Sequence, residues 1–369
     1  MSAHGSGFNV EPQSSDPLLA SQGAHHPPAR LTSVDLLRGL TIFCMILVNT
    51  SSNSSFTFLQ HPAWTGMTFA DVIFPTFLFI SGVSIPLALN LQWFVSRMEI
   101  SRHDDRADTH ARQWRRITTR KIIFRSVNLW LLGFVLLNVI PYYAFRWAIS
   151  PEAANLRVPG VLQRIAACYL VVAMVHVWVF TRGGIQRVWR WWGWRVLFPA
   201  VILVAWAIPT YTLTGCKERV STFEPPECSA EAYLDKLIFK KEHLYKEKAF
   251  DPEGTLSTLT AILTTYIGYL LGVYLHAYPP SPNNTLGLYT FLTNILLLSS
   301  IILLPLSYLS AEFIPISKPL WTPSFVLLAG AISIIAFALC TYLSDAHGLS
   351  STFSSVRILI ARGLRDNNR

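Results

Sequence analysis

The sequence predicts an all-α protein, a polytopic bundle of about eight transmembrane helices. Of its 369 residues, 51% are hydrophobic and only 14% are charged, whereas soluble domains are about 25% charged. The apolar residues form eight stretches, each long enough to cross about 30 Å of hydrocarbon. Arginines gather in alternate connections between these stretches, which is the pattern that orients multi-pass membrane proteins.

The predicted spans divide the chain into a tail, a core and a second tail. Residues 1–30 are polar and rich in Ser, His and Pro, and we expect a disordered cytosolic tail there. The transmembrane core is predicted over residues 31–345, with a long lumenal loop at 214–256 and a cytosolic tail at 346–369. The spans are placed at residues 35–54, 69–91, 121–141, 158–180, 195–213, 257–276, 286–309 and 323–343.

Basic residues in the short loops predict the orientation of the bundle. Arginines are frequent after the second span, from Arg97 to Arg120, and after the fourth span, from Arg182 to Arg195. Positive charge near spans marks the cytosolic side, so both termini are expected in the cytosol. The net charge of +9 follows this pattern rather than one soluble face, and no nucleic-acid partner is expected. Residues 187–195, RVWRWWGWR, are predicted to form an interfacial aromatic belt.

The five cysteines fit this orientation. Cys44, Cys168 and Cys340 lie in apolar spans and are expected to pack as small core residues. Cys216 and Cys228 share the long non-cytosolic loop, where an oxidising lumen permits a disulfide, which we predict. The sequence has neither a CxxC pair nor a His/Cys ligand spacing, so no metal site is predicted.

Charged residues in membrane spans are costly, so each one is a candidate for function. Asp71 opens the second span, Arg164 lies about two turns into the fourth, and Asp251 and Glu253 precede the sixth. With His61, these residues come from separate segments but share one depth on the lumenal side. The sequence therefore predicts a polar cluster there.

Five segments resemble the heparan-α-glucosaminide N-acetyltransferase family, and they occur in the family's order from Arg30 to about Asp345. The most specific is the spacing H-x-x-W-x-G-x-T-x-x-D-x-x-F-P, together with PGVLQR and DPEG. The segments are RLTSVDLLRGLTIFCMILVN, LQHPAWTGMTFADVIFPTFLFISGVSI, VPGVLQRIAACYLVVA, EHLYKEKAFDPEGTLSTLTAIL with the following GYLLG, and IPISKPLWTPSFVLL.

The resemblance implies an enzyme that transfers acetyl across a lysosomal or vacuolar membrane. The donor is cytosolic acetyl-CoA, used as a co-substrate, and the acceptor is a terminal glucosamine amine on the lumenal side. The histidine matching His61 is implied to be catalytic, with the asparagine matching Asn49 beside it. An acetyl-histidine intermediate and a ternary complex both remain open.

The chemistry of these side chains supports the same roles. An imidazole such as that of His61 can act as a base or as a nucleophile near neutral pH. Asn49 can donate an amide N–H to the developing oxyanion. Asp71, Asp251 or Glu253 can orient the histidine or hold the sugar ammonium.

Other residues are predicted to bind the two substrates. Trp64 is either a wall of the site or an interfacial anchor, and Arg164 is expected at the sugar site. Arg38 and Arg120 are candidates for the phosphates of acetyl-CoA, because both lie on the basic side. Asp35, three residues before Arg38, makes a local ion pair an equal alternative for that arginine.

The expected partners are membrane lipid and an amino-sugar or glycan acceptor, with a homodimer left open. The alternative function is a membrane transporter or a non-catalytic membrane scaffold, because several prolines could break helices around a midplane site. The resembling family continues past the eighth span. This chain is therefore expected to be less stable or less active than a longer relative.

Overall fold

The computed structural model describes residues 31–50, 57–62, 64–89, 107–139, 157–179, 188–214, 216, 223, 226–240, 243–244, 250–277 and 285–346. Regular structure in these ranges is helical, with one isolated β-bridge between Gly66 and Ser317. The all-α prediction is confirmed. The predicted tails at 1–30 and 347–369 lie outside the described ranges.

The helices are labelled in chain order. They are α1 (Thr32–Thr50), α2 (Phe69–Ala88), α3 (Ala107–Phe134), α4 (Val161–Trp178), α5 (Val188–Thr212), α6 (Ala230–Phe239), α7 (Thr255–Ala277), α8 (Thr285–Leu297), α9 (Leu304–Ala311) and α10 (Pro323–Thr341). Segments of π-helix extend α3 over Val135–Val139, join α8 to α9 over Leu298–Leu303 and continue α10 over Tyr342–Ala346.

Seven helical segments are long and apolar enough to cross a membrane, so the chain is a multi-pass membrane protein. They lie in α1, α2, α4, α5, α7, the joined α8 and α9, and α10. The predicted third span, 121–141, is helical through residue 139 but does not meet the same standard. Lys121 and Arg125 lie at its start, and each such charge in hydrocarbon is costly. Its last two residues lie outside the described ranges. The described residues therefore supply seven candidate spans instead of eight.

The centre of the bundle is the contact between α2 and α7, where glycines bring the two backbones together. A Cβ at Gly268 of α7 would lie 2.0 Å from the carbonyl oxygen of Phe79 in α2. A Cβ at Gly82 of α2 would lie 1.9 Å from the carbonyl oxygen of Thr265. Small residues at helix contacts allow this close approach inside a membrane. Buried side chains of α4 and α10, such as Phe325, complete the core.

The described residues between α5 and α7 form a small cap that contacts both helices. They are residues 213–214, 216, 223, 226–240, 243–244 and 250–254. Cys216 and Cys228 are joined by a disulfide with a Cα–Cα distance of 4.9 Å, as the sequence predicted. Closing a loop with a sequence separation of 12 stabilises the fold by about 2–3 kcal/mol. Ser229 then begins α6, because its Oγ accepts a hydrogen bond from the backbone N–H of Ala232.

Candidate active site

The start of α2 and the loop before it bring His61 and Asp71 together. The Nδ1 of His61 lies 2.6 Å from the Oδ1 of Asp71. The Asp71 side chain has no exposed surface, whereas that of His61 is 50% exposed. Thr68 completes a capping box, because its backbone N–H and its hydroxyl both lie 3.1 Å from the Oδ2 of Asp71. The helix start therefore fixes the carboxylate, and the carboxylate orients the imidazole.

The partners of His61 determine which ring nitrogen is available for chemistry. An ionised carboxylate can only accept hydrogen bonds, so the Nδ1 of His61 carries the hydrogen that the Oδ1 of Asp71 accepts. This tautomer is assigned from the hydrogen-bond network. It leaves a lone pair on the Nε2 of the neutral ring, which is the atom that a base or a nucleophile needs.

Lys318 is a third member of this group, and the sequence analysis did not select it. Its Nζ lies 2.9 Å from the Oδ1 of Asp71 and 3.2 Å from the Nδ1 of His61. The loop of Lys318 is attached to the loop of His61, because the N–H of Gly66 donates to the carbonyl of Ile316 at 2.8 Å. In a sequence, one lysine beside a span is indistinguishable from a topology signal.

Arg157 is a further residue that the sequence pattern did not point to. It joins the two acidic residues of residues 251–254, called here the DPEG turn. Its guanidinium binds Asp251 through Nε at 3.1 Å and through Nη2 at 2.7 Å, and it also binds Glu253. Asn138 holds the Arg157 backbone from both sides. Burial disfavours the cation, but the hydrogen bonds and charges of Asp251 and Glu253 outweigh it and raise the pKa of Arg157.

These groups surround a cavity of about 440 Å³ at one end of the bundle. Its polar wall consists of His61, Asn49, Arg157, Glu253 and Lys318, and apolar side chains of α1, α2 and α4 form the remainder. The cavity thus brings together three of the residues selected from sequence. Two more selected residues lie in the layer behind the wall. Asp71 of α2 binds His61, and Asp251 of the DPEG turn binds Arg157.

Arg164 lies behind the cavity wall instead of facing it. Its Nη2 donates to the carbonyl of Pro252 at 2.6 Å, and its Nε donates to the hydroxyl of Thr258 at 3.2 Å. The guanidinium carbon stands 4.9 Å from the ring centroid of Trp321. The side chain is 3% exposed. In this geometry Arg164 braces the DPEG turn and the start of α7.

Trp64 packs against the cap instead of lining the cavity. Its indole N–H donates to the carbonyl of Phe223 at 2.9 Å, and its ring packs edge-on against Phe250. It belongs to an apolar cluster with Trp206 and Leu320. The cavity lining does not include Trp64, and its predicted role as an anchor at the membrane interface stays a prediction.

Arg38 and Arg120 lie far from the cavity. Arg38 donates to Ser84 at 3.1 Å and pairs with Asp35 at 3.3 Å. Ser84 is roughly 20 Å along α2 from the start of that helix. Arg120 is exposed on α3, roughly 27 Å along the helix from Asn138. The two predicted phosphate ligands are therefore toward the end of the bundle opposite His61.

The chain was compared with known proteins. Residues 30–213 match the family model described as heparan-alpha-glucosaminide N-acetyltransferase, catalytic. The chain belongs to this family. The heparan-alpha-glucosaminide N-acetyltransferase of Mus musculus is 28% identical over 379 residues, covering 92% of this chain and 53% of the relative. That of Homo sapiens is 28% identical over 384 residues, covering 94% and 53%. The chain thus spans about half the length of the curated relatives that it matches.

In this member of the heparan-alpha-glucosaminide N-acetyltransferase family, cationic side chains bind the acidic residues around the cavity. Among the described residues, no group of three or more His, Cys, Asp or Glu side chains could hold a metal ion. The two carboxylates behind the cavity wall are paired with cations, Asp71 with Lys318 and Asp251 with Arg157. Ion pairs therefore hold these two carboxylates in place.

A second buried acid, Asp235 of α6, holds the DPEG turn in place. Its Oδ2 accepts the backbone N–H of Asp251 at 3.1 Å, and its Oδ1 accepts that of Thr255 at 3.0 Å. A Cβ at Gly254 would lie 2.1 Å from the Asp235 carboxylate, so the turn needs glycine there. Glu231, one turn earlier on α6, is also buried. The cap therefore sets the position of Glu253 through Asp235.

We expect the fold to gain stability from Asp235 at acidic pH. Burial raises the pKa of Asp235 from 3.8 to about 6, although the N–H groups of Thr255 and Asp251 oppose this. Burial and the neighbouring Asp235 also raise the pKa of Glu231. Between pH about 4 and 6, the folded state binds more protons than the unfolded chain. The free energy of unfolding therefore falls as the pH rises, by about 1–3 kcal/mol from Asp235.

The measurement is thermal unfolding in detergent at several pH values for wild type and Asp235→Asn. The variant cannot titrate at this position, so the stability advantage of wild type should shrink between pH 4 and 6. Parallel stability curves for the two proteins would show that Asp235 does not bind its proton in the folded state.

Proposed function

We propose that this protein transfers acetyl from acetyl-CoA to the amine of a glucosamine-type sugar, with His61 as acyl acceptor or general base. The observation that carries the proposal is the His61 ring, oriented by the buried carboxylate of Asp71, in the wall of the 440 Å³ cavity. Family membership supports the same chemistry. The activity remains a proposal because the chain spans about half of its curated relatives.

The Nε2 of His61 serves either route of transfer. As a nucleophile, it attacks the thioester carbonyl and the CoA thiolate leaves; the sugar amine then attacks the acetyl group, the ring leaves, and the amine proton passes to the freed Nε2 or to water. As a general base, it removes the proton of the amine while that amine attacks acetyl-CoA directly, and the CoA thiolate leaves. Asn49 lines the same cavity, and its amide can donate to the oxyanion of either tetrahedral intermediate.

The acceptor sugar is proposed to bind on the side of the cavity formed by the DPEG turn. Glu253 lines the cavity and can accept hydrogen bonds from an amino sugar. Arg157 and Asp251 hold that carboxylate and its turn. Arg164 and Trp64 are proposed to act one layer further out, by bracing the turn and the cap.

The two substrates are proposed to enter from opposite sides of a lysosomal or vacuolar membrane. The nucleotide of acetyl-CoA would bind at the end that carries Arg38 and Arg120, which the positive-inside pattern predicts to face the cytosol. The cavity with His61 would then open to the lumen. Because the two ends are roughly 20 Å apart along α2, the acetyl arm must extend into the bundle to reach His61.

The test is an acetyl-transfer assay on the purified protein. Acetyl-CoA and glucosamine are supplied together, free CoA is measured with a thiol reagent, and acetylated sugar is measured by mass spectrometry. We expect CoA release that depends on the amine. In sealed vesicles, transfer should occur with the two substrates on opposite sides. Solute flux without amine-dependent CoA release would instead support the transporter alternative.

A further inference from the structure

One oxygen of Asp71 is shared by two donors of different charge. Its Oδ1 lies 2.6 Å from the Nδ1 of His61 and 2.9 Å from the Nζ of Lys318. The two nitrogens are 3.2 Å apart. Because the Nδ1 carries a hydrogen, this short separation places two donors side by side on one acceptor. It is not a hydrogen bond between them.

This arrangement matters because a carboxylate alone beside a histidine favours the charged imidazolium. An imidazolium has no lone pair on Nε2, so it can neither accept an acetyl group nor remove a proton. The ammonium of Lys318 acts in the opposite direction, because a second positive charge at 3.2 Å from the ring repels the first.

We infer that Lys318 is a positioning residue that keeps His61 in its neutral Nδ1–H form by sharing the Oδ1 of Asp71. The consequence for acetyl transfer rests on the proposed function, because only a neutral ring can perform either route. The electrostatic claim itself concerns the free protein and can be tested without any substrate.

Among the described charged groups around the ring, Lys318 is the one that we expect to oppose protonation of His61. Facing His61 are Asp71 from α2, Lys318 from the loop before α10, and Arg157 and Glu253 across the cavity. Arg157 is bound to both Asp251 and Glu253, so its charge is offset where it stands. Without Lys318, His61 would be the nearest described group to Asp71 that can carry a positive charge.

The backbone around Lys318 holds the ammonium in place. The carbonyl of Lys318 accepts the N–H of Trp321 at 3.0 Å, in a turn anchored by that buried indole. The hydroxyl of Ser317 donates to the carbonyl of Trp64 at 2.7 Å. The Lys318 side chain is 24% exposed. The position of its charge is therefore set by the fold.

The test measures how fast diethyl pyrocarbonate modifies His61 at different pH values, because this reagent attacks neutral imidazole. Mass spectrometry of peptides follows the modification in wild type, Lys318→Met, Lys318→Gln and Lys318→Arg. His276, exposed in the last turn of α7, is the internal control. We expect the midpoint for His61 to rise by about one pH unit in the Met and Gln variants. The Arg variant should stay near wild type, and His276 should not change.

Lys318→Met and Lys318→Gln both remove the charge, but only the glutamine can still donate a hydrogen bond. Lys318→Gln can still donate to Asp71, so a shift shared by Gln and Met identifies the charge as the cause. If Met does not fold, Gln alone decides the comparison with Arg. An unchanged His61 midpoint in the folded uncharged variants would overturn the inference.

The acetyl-transfer assay adds a second readout. The acid limb of the pH–rate profile should move upward by the same amount in Lys318→Gln and return with Lys318→Arg. If wild type shows no acetyl transfer, the proposed function fails while the reagent experiment still decides the role of Lys318. If wild type is active but neither the midpoint nor the acid limb moves, only the role of Lys318 fails.

Discussion

Replacing His61 with alanine is expected to lower the rate of amine-dependent CoA release by about 10²–10⁴-fold, or more if the ring carries the acetyl group. The loss should be catalytic and not structural. His61 lies in a loop with half of its side chain exposed, and its removal leaves Asp71 paired with Lys318. We therefore expect a cost in the free energy of unfolding of about 1 kcal/mol or less.

The experiment compares wild type, His61→Ala and the control His276→Ala. Each is measured for CoA release, acetyl-CoA affinity and thermal unfolding in detergent. Affinity for acetyl-CoA should survive in His61→Ala, because the proposed nucleotide site lies at the opposite end of the bundle. His276→Ala should behave as wild type. A folded His61→Ala protein that keeps more than about a tenth of the wild-type rate would exclude His61 as the catalytic residue.

Replacing Gly268 with alanine is expected to destabilise the core of the bundle strongly. A Cβ there would lie 2.0 Å from the carbonyl oxygen of Phe79 and 2.8 Å from its carbonyl carbon. These are backbone atoms of α2, so they cannot move without shifting a helix that also carries Asp71. Overpacking of this kind costs about 1–3 kcal/mol, and sometimes more.

The matched control is Gly39→Ala in α1, where a Cβ would meet nothing within 4 Å. There, alanine should be neutral or stabilise the helix by up to about 1 kcal/mol. Thermal unfolding in detergent and elution profiles compare the two variants with wild type. Similar unfolding temperatures for Gly268→Ala and Gly39→Ala would mean that α2 and α7 are not in backbone contact.

The sequence alone determined the features that depend on local pattern. Apolar runs of membrane length located seven spans, because burial in hydrocarbon requires continuous apolar helices. The third predicted span, 121–141, runs past the last described residue of its helix, Val139, and stays a prediction. Asp71 was one of three carboxylates that the sequence offered as the partner of His61, and the structure pairs these two, which lie ten residues apart. The cysteine pair was predictable because both residues lie in one short loop.

Only the tertiary structure decided which charges neutralise one another. Lys318 reaches His61 from 257 positions away, and Arg157 reaches Asp251 from 94 positions away, through the packing of α2, α4, α7 and α10. The structure also shows that Arg164 binds the DPEG turn and that Trp64 packs against the cap, so neither side chain lines the cavity. The physical reason is that a sequence pattern shows which residues of one segment are polar and which are apolar. The partner of a buried charge comes from a different segment, and only the packing of the helices brings the two together.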